Sequence, residues 1–311
     1  MPERIIVTGA TGMLGSSLIK LAVERGDSVT AIVRKNTQKI DNLLGVIDKI
    51  KIVECDADAY EKLPILLNFE QYDKFFHFAW MGTFGVTRND GFLQENNIRA
   101  TLIAIKAAKT LGCTKFVGAG SQAEYGNVPY GTNLKEDTPC NPDTGYGIAK
   151  LCAGKLGKMA ADNIGIEFVW TRILSVYGIG DNITSLTQSV INDLLDNKTP
   201  ATTLGEQIWD LLYSDDAAEA FYLIGKKGIH GKTYVIGSGK KVLLRDVFLA
   251  MKDAVGANCS INIGGRPYNA GQTMYLVSDI SNLKSDTGFE PKISLHEGVR
   301  RTVKWLLDKK G

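Results

Sequence analysis

The chain has 311 residues, with 36 Lys and Arg against 34 Asp and Glu for a formal net charge of +2, and is 44% hydrophobic and 23% charged. That balance is ordinary for a globular protein and, with no basic run to overturn it, gives no case for nucleic acid or a membrane surface as partner. The five cysteines (55, 113, 140, 152 and 259) show no CxxC spacing, which argues against a zinc site or a disulfide framework and for a reducing, cytoplasmic setting.

Strand pattern begins at Ile5, so we expect no leader peptide, and no apolar run approaches the ~20 residues of a spanning helix. Ile5–Thr8 runs straight into glycines at 9, 12 and 15, and Leu14, Leu18 and Leu21 then share one helical face. Strand, tight turn, helix is the context that a dinucleotide fingerprint requires. Gly9 allows the turn, Gly12 the close approach of a pyrophosphate, and Gly15 the packing of helix on strand. The amides from Thr11 through Met13 and Leu14 to Gly15 are then aimed at the anion.

Further strands are expected at Ser28–Val33, Lys51–Glu54, Lys74–Ala79, Lys115–Ala119 and Glu167–Ile173, with long helices at 92–111 and 145–163 between them. This alternation predicts an α/β fold, a Rossmann-type doubly wound parallel sheet. Beyond about residue 175 the pattern loosens: helix Ser185–Asn197, a strand-like Ile208–Tyr213, helix Asp215–Gly225, strand Thr233–Ile236, helix Leu244–Val255 and a closing helix opened by Ser294-Leu-His-Glu297, which has the form of a capping box. We therefore expect a dinucleotide-binding domain over 1–175, a segment near 205–237 returning to it, and a smaller α+β substrate lobe over 176–311.

An NAD site ordinarily places an acid about 20 residues beyond the glycines. From Thr30 to Ile40 there is none, while Arg34, Lys35 and Lys39 offer cations. A guanidinium suits phosphate oxygens, so the expected cofactor is NADP, with NAD as the alternative. Asp56 and Ala57 follow the third strand and are expected near the adenine; His77 and Ala79 end the fourth and are expected at the middle of the cofactor.

Tyr146 and Lys150 stand four apart, one above the other on a helix. A lysine there favours the phenolate and lowers a pKa that starts near ~10, and a tuned phenol passes a proton as hydride moves. A second such pair, Tyr222 and Lys226, has no hydroxyl residue at suitable distance upstream and reads as a core aromatic with a helix C-terminal cation. Ser121, by contrast, lies 25 residues before Tyr146 at the end of an apolar strand, where open α/β sheets bind ligands.

With these residues in this order, the chain resembles an extended short-chain dehydrogenase/reductase of the nucleotide-sugar epimerase, dehydratase and reductase group. The matching stretches are Thr8–Gly15, His77–Ala79, Asn97–Thr101, Gly120–Gly126, Tyr146–Lys150, Arg172–Gly178 and Gly205–Asp210. The resemblance implies that Ser121, Tyr146 and Lys150 form a catalytic triad, that a nucleoside-diphosphate sugar binds beyond about residue 175, and that helices 92–111 and 145–163 pair two copies into a dimer. Sugar 4,6-dehydratases of the group follow the catalytic hydroxyl with Asp-Glu; Gln122 and Ala123 stand there and cannot eliminate water. Ser175 replaces the usual Asn, and Trp209 replaces an arginine that holds the diphosphate, leaving Arg266 as its expected partner. Ser121, Gln122, Ser175 and Gln207 complete the expected substrate contacts. The expected reaction is reduction of the C4 ketone of a nucleotide-linked 4-keto-6-deoxyhexose, resembling the CDP-abequose synthase type; the alternatives are a 4-epimerase holding NAD and a non-catalytic dinucleotide-binding regulator.

Overall fold

The structure, a computed structural model, describes residues 2–37, 40–256, 258–269 and 271–310; Lys39 of the expected cation cluster lies outside the described residues. Strand β1 (Arg4–Thr8) leads through the glycine turn to α1 (Met13–Glu24), β2 (Ser28–Val33), β3 (Lys51–Glu54), the short α2 (Leu63–Leu66), β4 (Lys74–His77), α3 (Gly91–Thr110), β5 (Lys115–Ala119), β6 (Asn133–Leu134), α4 (Gly145–Ile164) and β7 (Glu167–Ile173). The second part runs β8 (Ser175–Tyr177), α5 (Leu186–Leu195), β9 (Ala201–Thr202), β10 (Ile208–Trp209), β11 (Leu211–Tyr213), α6 (Ser214–Lys227), β12 (Thr233–Ile236), β13 (Val242–Leu243), α7 (Leu244–Val255), β14 (Asn262–Ile263), β15 (Tyr275–Ser278), α8 (Ser281–Thr287) and α9 (Leu295–Lys310).

Among the described residues the main sheet holds seven strands in the order β3-β2-β1-β4-β5-β7-β12, every neighbour parallel. Alternate residues of a strand face opposite sides, and here both sides are covered. Ile5 and Val7 pack with Leu18 and Ile19 of α1 and Phe221 and Ile224 of α6, while Ile6 packs with Ala104 and Ala108 of α3 and Ala153 of α4. Such two-faced burial produces the apolar runs seen in the sequence. The chain leaves β1 toward β2 on one side and later returns to β4 on the other, so a crevice opens beyond Thr8 and His77, where open sheets of this kind bind ligands.

Within 205–237, α6 packs on α1 and β12 forms the edge of the main sheet beside β7, while β10 lies in a second sheet. The rest of the C-terminal part, joined by β6 from the first half of the chain, builds a small mixed sheet, β13-β10-β15-β6, with α5, α7 and α9 sharing a separate core that includes Ile191, Phe248 and Val299. The strand expected over Ile208–Tyr213 is instead broken at Asp210. β10 joins the small sheet while β11 pairs with β8. The buried Asp210 carboxylate causes the break, accepting hydrogen bonds from the amides of Ser238 (2.6 Å), Gly239 (2.8 Å) and Ser278 (3.2 Å). The capping box at Ser294 is half formed: the Glu297 amide reaches Ser294 Oγ at 3.3 Å, but the Glu297 carboxylate pairs with Arg300 and Arg301.

Candidate active site

Gly9 is left-handed (φ +66), and a Cβ there would stand 2.7 Å from the backbone of Phe78 and Ala79. This close approach ends β4 at His77, two residues earlier than the sequence suggests. Gly15 is equally constrained, since its Cβ would meet the Gly9 carbonyl at 2.3 Å. No side chain caps α1, so its first-turn amides are left for a ligand.

They open onto a cleft of about 720 Å³. Gly9, Thr11, Gly12, Met13, Leu14 and Gly15 line one end, with Arg34, Ala57 and Ala79 alongside; Ser121, Tyr146 and Lys150 line the other. A dinucleotide fits this end-to-end arrangement, because Gly9 and Gly15 let the loop pack tightly on the backbone of Phe78, Ala79 and the turn itself, and the uncapped amides of α1 are left facing the cleft. Asp56 is not part of the lining: its carboxylate accepts the Lys35 amide at 3.1 Å, joining the ends of β2 and β3. His77 is buried behind the loop, bonded to Thr8 at 2.8 Å and Thr101 at 3.2 Å, and burial pushes its pKa down to about 3.

Two devices set the reactive pair. The Thr144 side chain caps α4 by accepting the Gly147 amide at 3.1 Å, and Gly147 lets the helix lie against the Ala123 carbonyl, where a Cβ would come within 2.3 Å. Tyr146 and Lys150 therefore both turn inward, at 9% and 4% exposure. Ser121 caps the short helical turn Gln122–Glu124 in a reciprocal capping box: Ser121 Oγ accepts the Ala123 amide (3.2 Å) and Glu124 accepts the Ser121 amide (2.9 Å). The cap and the hydroxyl that faces the cleft are thus one side chain. Glu124 is itself buried, taking Trp170 Nε1 and Arg172 Nε at 2.9 Å each.

Burial raises the Tyr146 pKa, and a hydrogen bond from Ser121 and the charge of Arg88 oppose the rise. The Lys150 ammonium donates to the Ala119 carbonyl at 2.6 Å and lies 3.6 Å from the centroid of the Trp80 ring, but 5.8 Å from that of Tyr146. Burial lowers its own pKa to about 7.

Four expected substrate contacts stand away from the cleft lining: Gln122 in its turn, Ser175 in β8, Gln207 bonded to Thr203, and Arg266 exposed in a loop whose amide meets the Thr202 carbonyl. Trp209, in the place of the usual arginine, spends its indole N–H on the Thr273 carbonyl at 2.9 Å. The second Tyr/Lys pair is distant from chemistry: Lys226 pairs with Glu3 at 2.8 Å, and Tyr222 packs beneath Arg25 at 4.4 Å. The sequence reading missed Trp80 and Arg88. Both come from the loop after β4, which Asn97 of α3 clamps by bonding both the amide and the carbonyl of Met81 at 2.9 Å. The one local signal was an aromatic residue directly after His77-Phe-Ala79.

Residues 5–237 match the NAD dependent epimerase/dehydratase family. The chain belongs to that family. It is accordingly an NAD(P)-dependent enzyme of the extended short-chain dehydrogenase/reductase type. Among curated family members, a putative UDP-glucose 4-epimerase of Methanocaldococcus jannaschii is 26% identical over 97% of this chain and 98% of its own length; dTDP-glucose 4,6-dehydratases stand among the relatives as well. Two solved structures share the fold. The UDP-glucose 4-epimerase from Thermotoga maritima, solved with UDP-glucose, superposes with a TM-score of 0.90 at 22% identity, covering 99% of this chain and 100% of that one. The UDP-glucuronic acid 4-epimerase from Bacillus cereus, in complex with NAD, gives 0.84 at 21% identity, covering 99% and 100%.

Proposed function

We propose that this family member interconverts an alcohol and a ketone at C4 of a nucleoside-diphosphate hexose, acting as a 4-epimerase that retains NAD. The observation that carries the reading is the convergence of Ser121, Tyr146 and Lys150 on one end of the same 720 Å³ cleft whose other end is the glycine cradle. The glycine-loop amides, Arg34 and Lys150 are the groups that would hold the dinucleotide. When bound, it supplies the hydride acceptor and donor. Tyr146 takes the proton of the C4 hydroxyl as hydride leaves C4, and returns it to the C4 oxygen as hydride comes back. Ser121 donates to the same oxygen and fixes its place. Elimination of water is disfavoured because Gln122 and Ala123 supply neither acid nor base.

The epimerase relatives put this reading ahead of the 4-ketoreductase expected from the sequence. The reductase keeps one supporting observation as a second reading: Arg34 lines the cleft at the end of β2, where a 2′-phosphate rather than a bare ribose suits a guanidinium. A dimer fits either reading, since Phe92 of α3 and Ile148, Leu156 and Met159 of α4 are exposed apolar side chains on the two helices expected to pair.

Mass spectrometry of the ligand released from purified protein, followed by assays on a panel of nucleotide sugars, separates the two. The epimerase retains NAD and converts a substrate such as UDP-glucose to its C4 epimer without added cofactor; the reductase consumes NADPH with a 4-keto sugar. Full activity of Tyr146→Phe on every substrate would sink both.

A further inference from the structure

The Thr11–Gly12 peptide, in the middle of the glycine turn, is fastened at both ends. Its N–H donates to the Gly9 carbonyl at 3.0 Å, and its C=O accepts from Asn42 Nδ2 at 2.8 Å. A trans peptide points these two groups in opposite directions, so the two bonds together fix its plane. Asn42 comes from outside the turn, on the short helical segment Ile40–Leu43, and is buried. Leu43 beside it lies fully buried in the core shared with α1, which pins the segment.

The same amide carries the opposite wall of the cleft. Gly180 is left-handed (φ +82), and a Cβ there would lie 3.1, 3.2 and 3.3 Å from Nδ2, Cγ and Oδ1 of Asn42. Near-equal distances to all three atoms place Gly180 over the flat of the amide. Gly180, Asp181 and Asn182 line the cleft, as Thr11 and Gly12 do. Their loop is also held from behind. Gln188 of α5 donates to the Gly178 carbonyl at 3.1 Å, and Asn182 Oδ1 accepts the Thr184 amide at 3.1 Å.

We propose that Asn42 is a positioning residue for the dinucleotide, a latch that ties the glycine turn to the 178–182 loop and sets how slowly the dinucleotide leaves. The proposal rests on the glycine cradle as the dinucleotide site and holds for either reaction at C4. Without the Asn42 donor, the Thr11 carbonyl loses its partner, and a buried acceptor left unpaired is costly. The peptide is then free to rotate, and rotation spoils the alignment of the neighbouring α1 amides with the pyrophosphate. Gly180 loses the surface it rests on at the same time.

The test is stopped-flow displacement of NADH, and in parallel NADPH, from the full-length protein, read by the fluorescence of the reduced nicotinamide. Asn42→Leu keeps a side chain of similar shape without the donor, and Asn42→Ala removes both. Each is expected to raise the dissociation rate about tenfold, the scale of one buried hydrogen bond lost. Gly180→Ala crowds the amide from the other side and is expected to raise the rate as well. Combined with Asn42→Ala, it is expected to give less than the product of the single effects, because both act through one side chain. Unchanged dissociation in Asn42→Leu and Asn42→Ala, even with a lowered melting temperature, assigns Asn42 to the fold alone and overturns the proposal. Strictly multiplicative effects in the double variant overturn it too. A wild-type protein that binds neither NADH nor NADPH would instead remove the dinucleotide reading of the cleft, and the proposal with it.

Discussion

Lys150 and Trp80 form a cation–π pair inside the cleft, the ammonium 3.6 Å from the centroid of the indole ring. The lysine is therefore held by an aromatic face and one backbone carbonyl, without a carboxylate in contact with it among the described residues. A desolvated pair of this kind is worth roughly 2 kcal/mol. Trp80→Leu is expected to lower kcat/KM by about 10- to 30-fold and to move the loss of the Lys150 charge to lower pH, while Trp80→Phe retains most of the activity. Superimposable pH profiles for Trp80→Leu and the wild type would rule out this role.

The same lysine makes stability depend on pH. Its pKa falls from 10.5 to about 7 on folding. Between about pH 7 and 10.5 the unfolded chain therefore holds a proton that the folded chain has released, so raising the pH through this window stabilises the fold. Below the window both states carry the charge, and the folded state bears the full burial cost. Urea unfolding from pH 7 to 10 should show this rise, and Lys150→Met should flatten it. An equal slope in both proteins would mean that Lys150 is not desolvated.

Gly15→Ala tests the cradle. The added Cβ would sit 2.3 Å from the Gly9 carbonyl, and the backbone cannot yield without opening the turn. We expect a loss of stability of about 1–3 kcal/mol, the range for a strained overpacked site, together with loss of dinucleotide by the purified protein. A variant that retains its cofactor and melts like the wild type would contradict the geometry.

Glu124 and Arg172 form a buried ion pair at 2.9 Å, with side chains 0% and 5% exposed. Glu124→Gln leaves the guanidinium charge buried without its anion and weakens the bond to the Ser121 amide. Breaking such a pair costs about 3–5 kcal/mol; chemical denaturation should show it, and activity should fall because Ser121 loses its anchor. A change below about 1 kcal/mol would assign the network to packing alone.

How far the sequence speaks is clearest at two kinds of position. The parallel strands were legible because burial on both faces writes them as unbroken apolar runs, as in Ile5–Thr8 and Lys115–Ala119. The strand over Ile208–Tyr213 was misread because Asp210 breaks it through partners 28 and 68 residues away, and local periodicity carries no trace of them. The capping box at Ser121 and Glu124 is written in the sequence as Ser-Gln-Ala-Glu, but only the fold shows that the capping side chain also lines the cleft.

By itself the sequence determined the glycine cradle, the order of strands and helices, and the Ser121, Tyr146 and Lys150 set, since each depends on residue type at fixed local spacing. Only the tertiary structure decided where the Lys150 ammonium ends. Spacing of four residues brings Lys150 near Tyr146, but where a long flexible side chain ends is set by what it meets in space. Here it meets the Ala119 carbonyl and the Trp80 ring, contributed by β5 and the loop after β4, and that same loop delivers Arg88 to Tyr146.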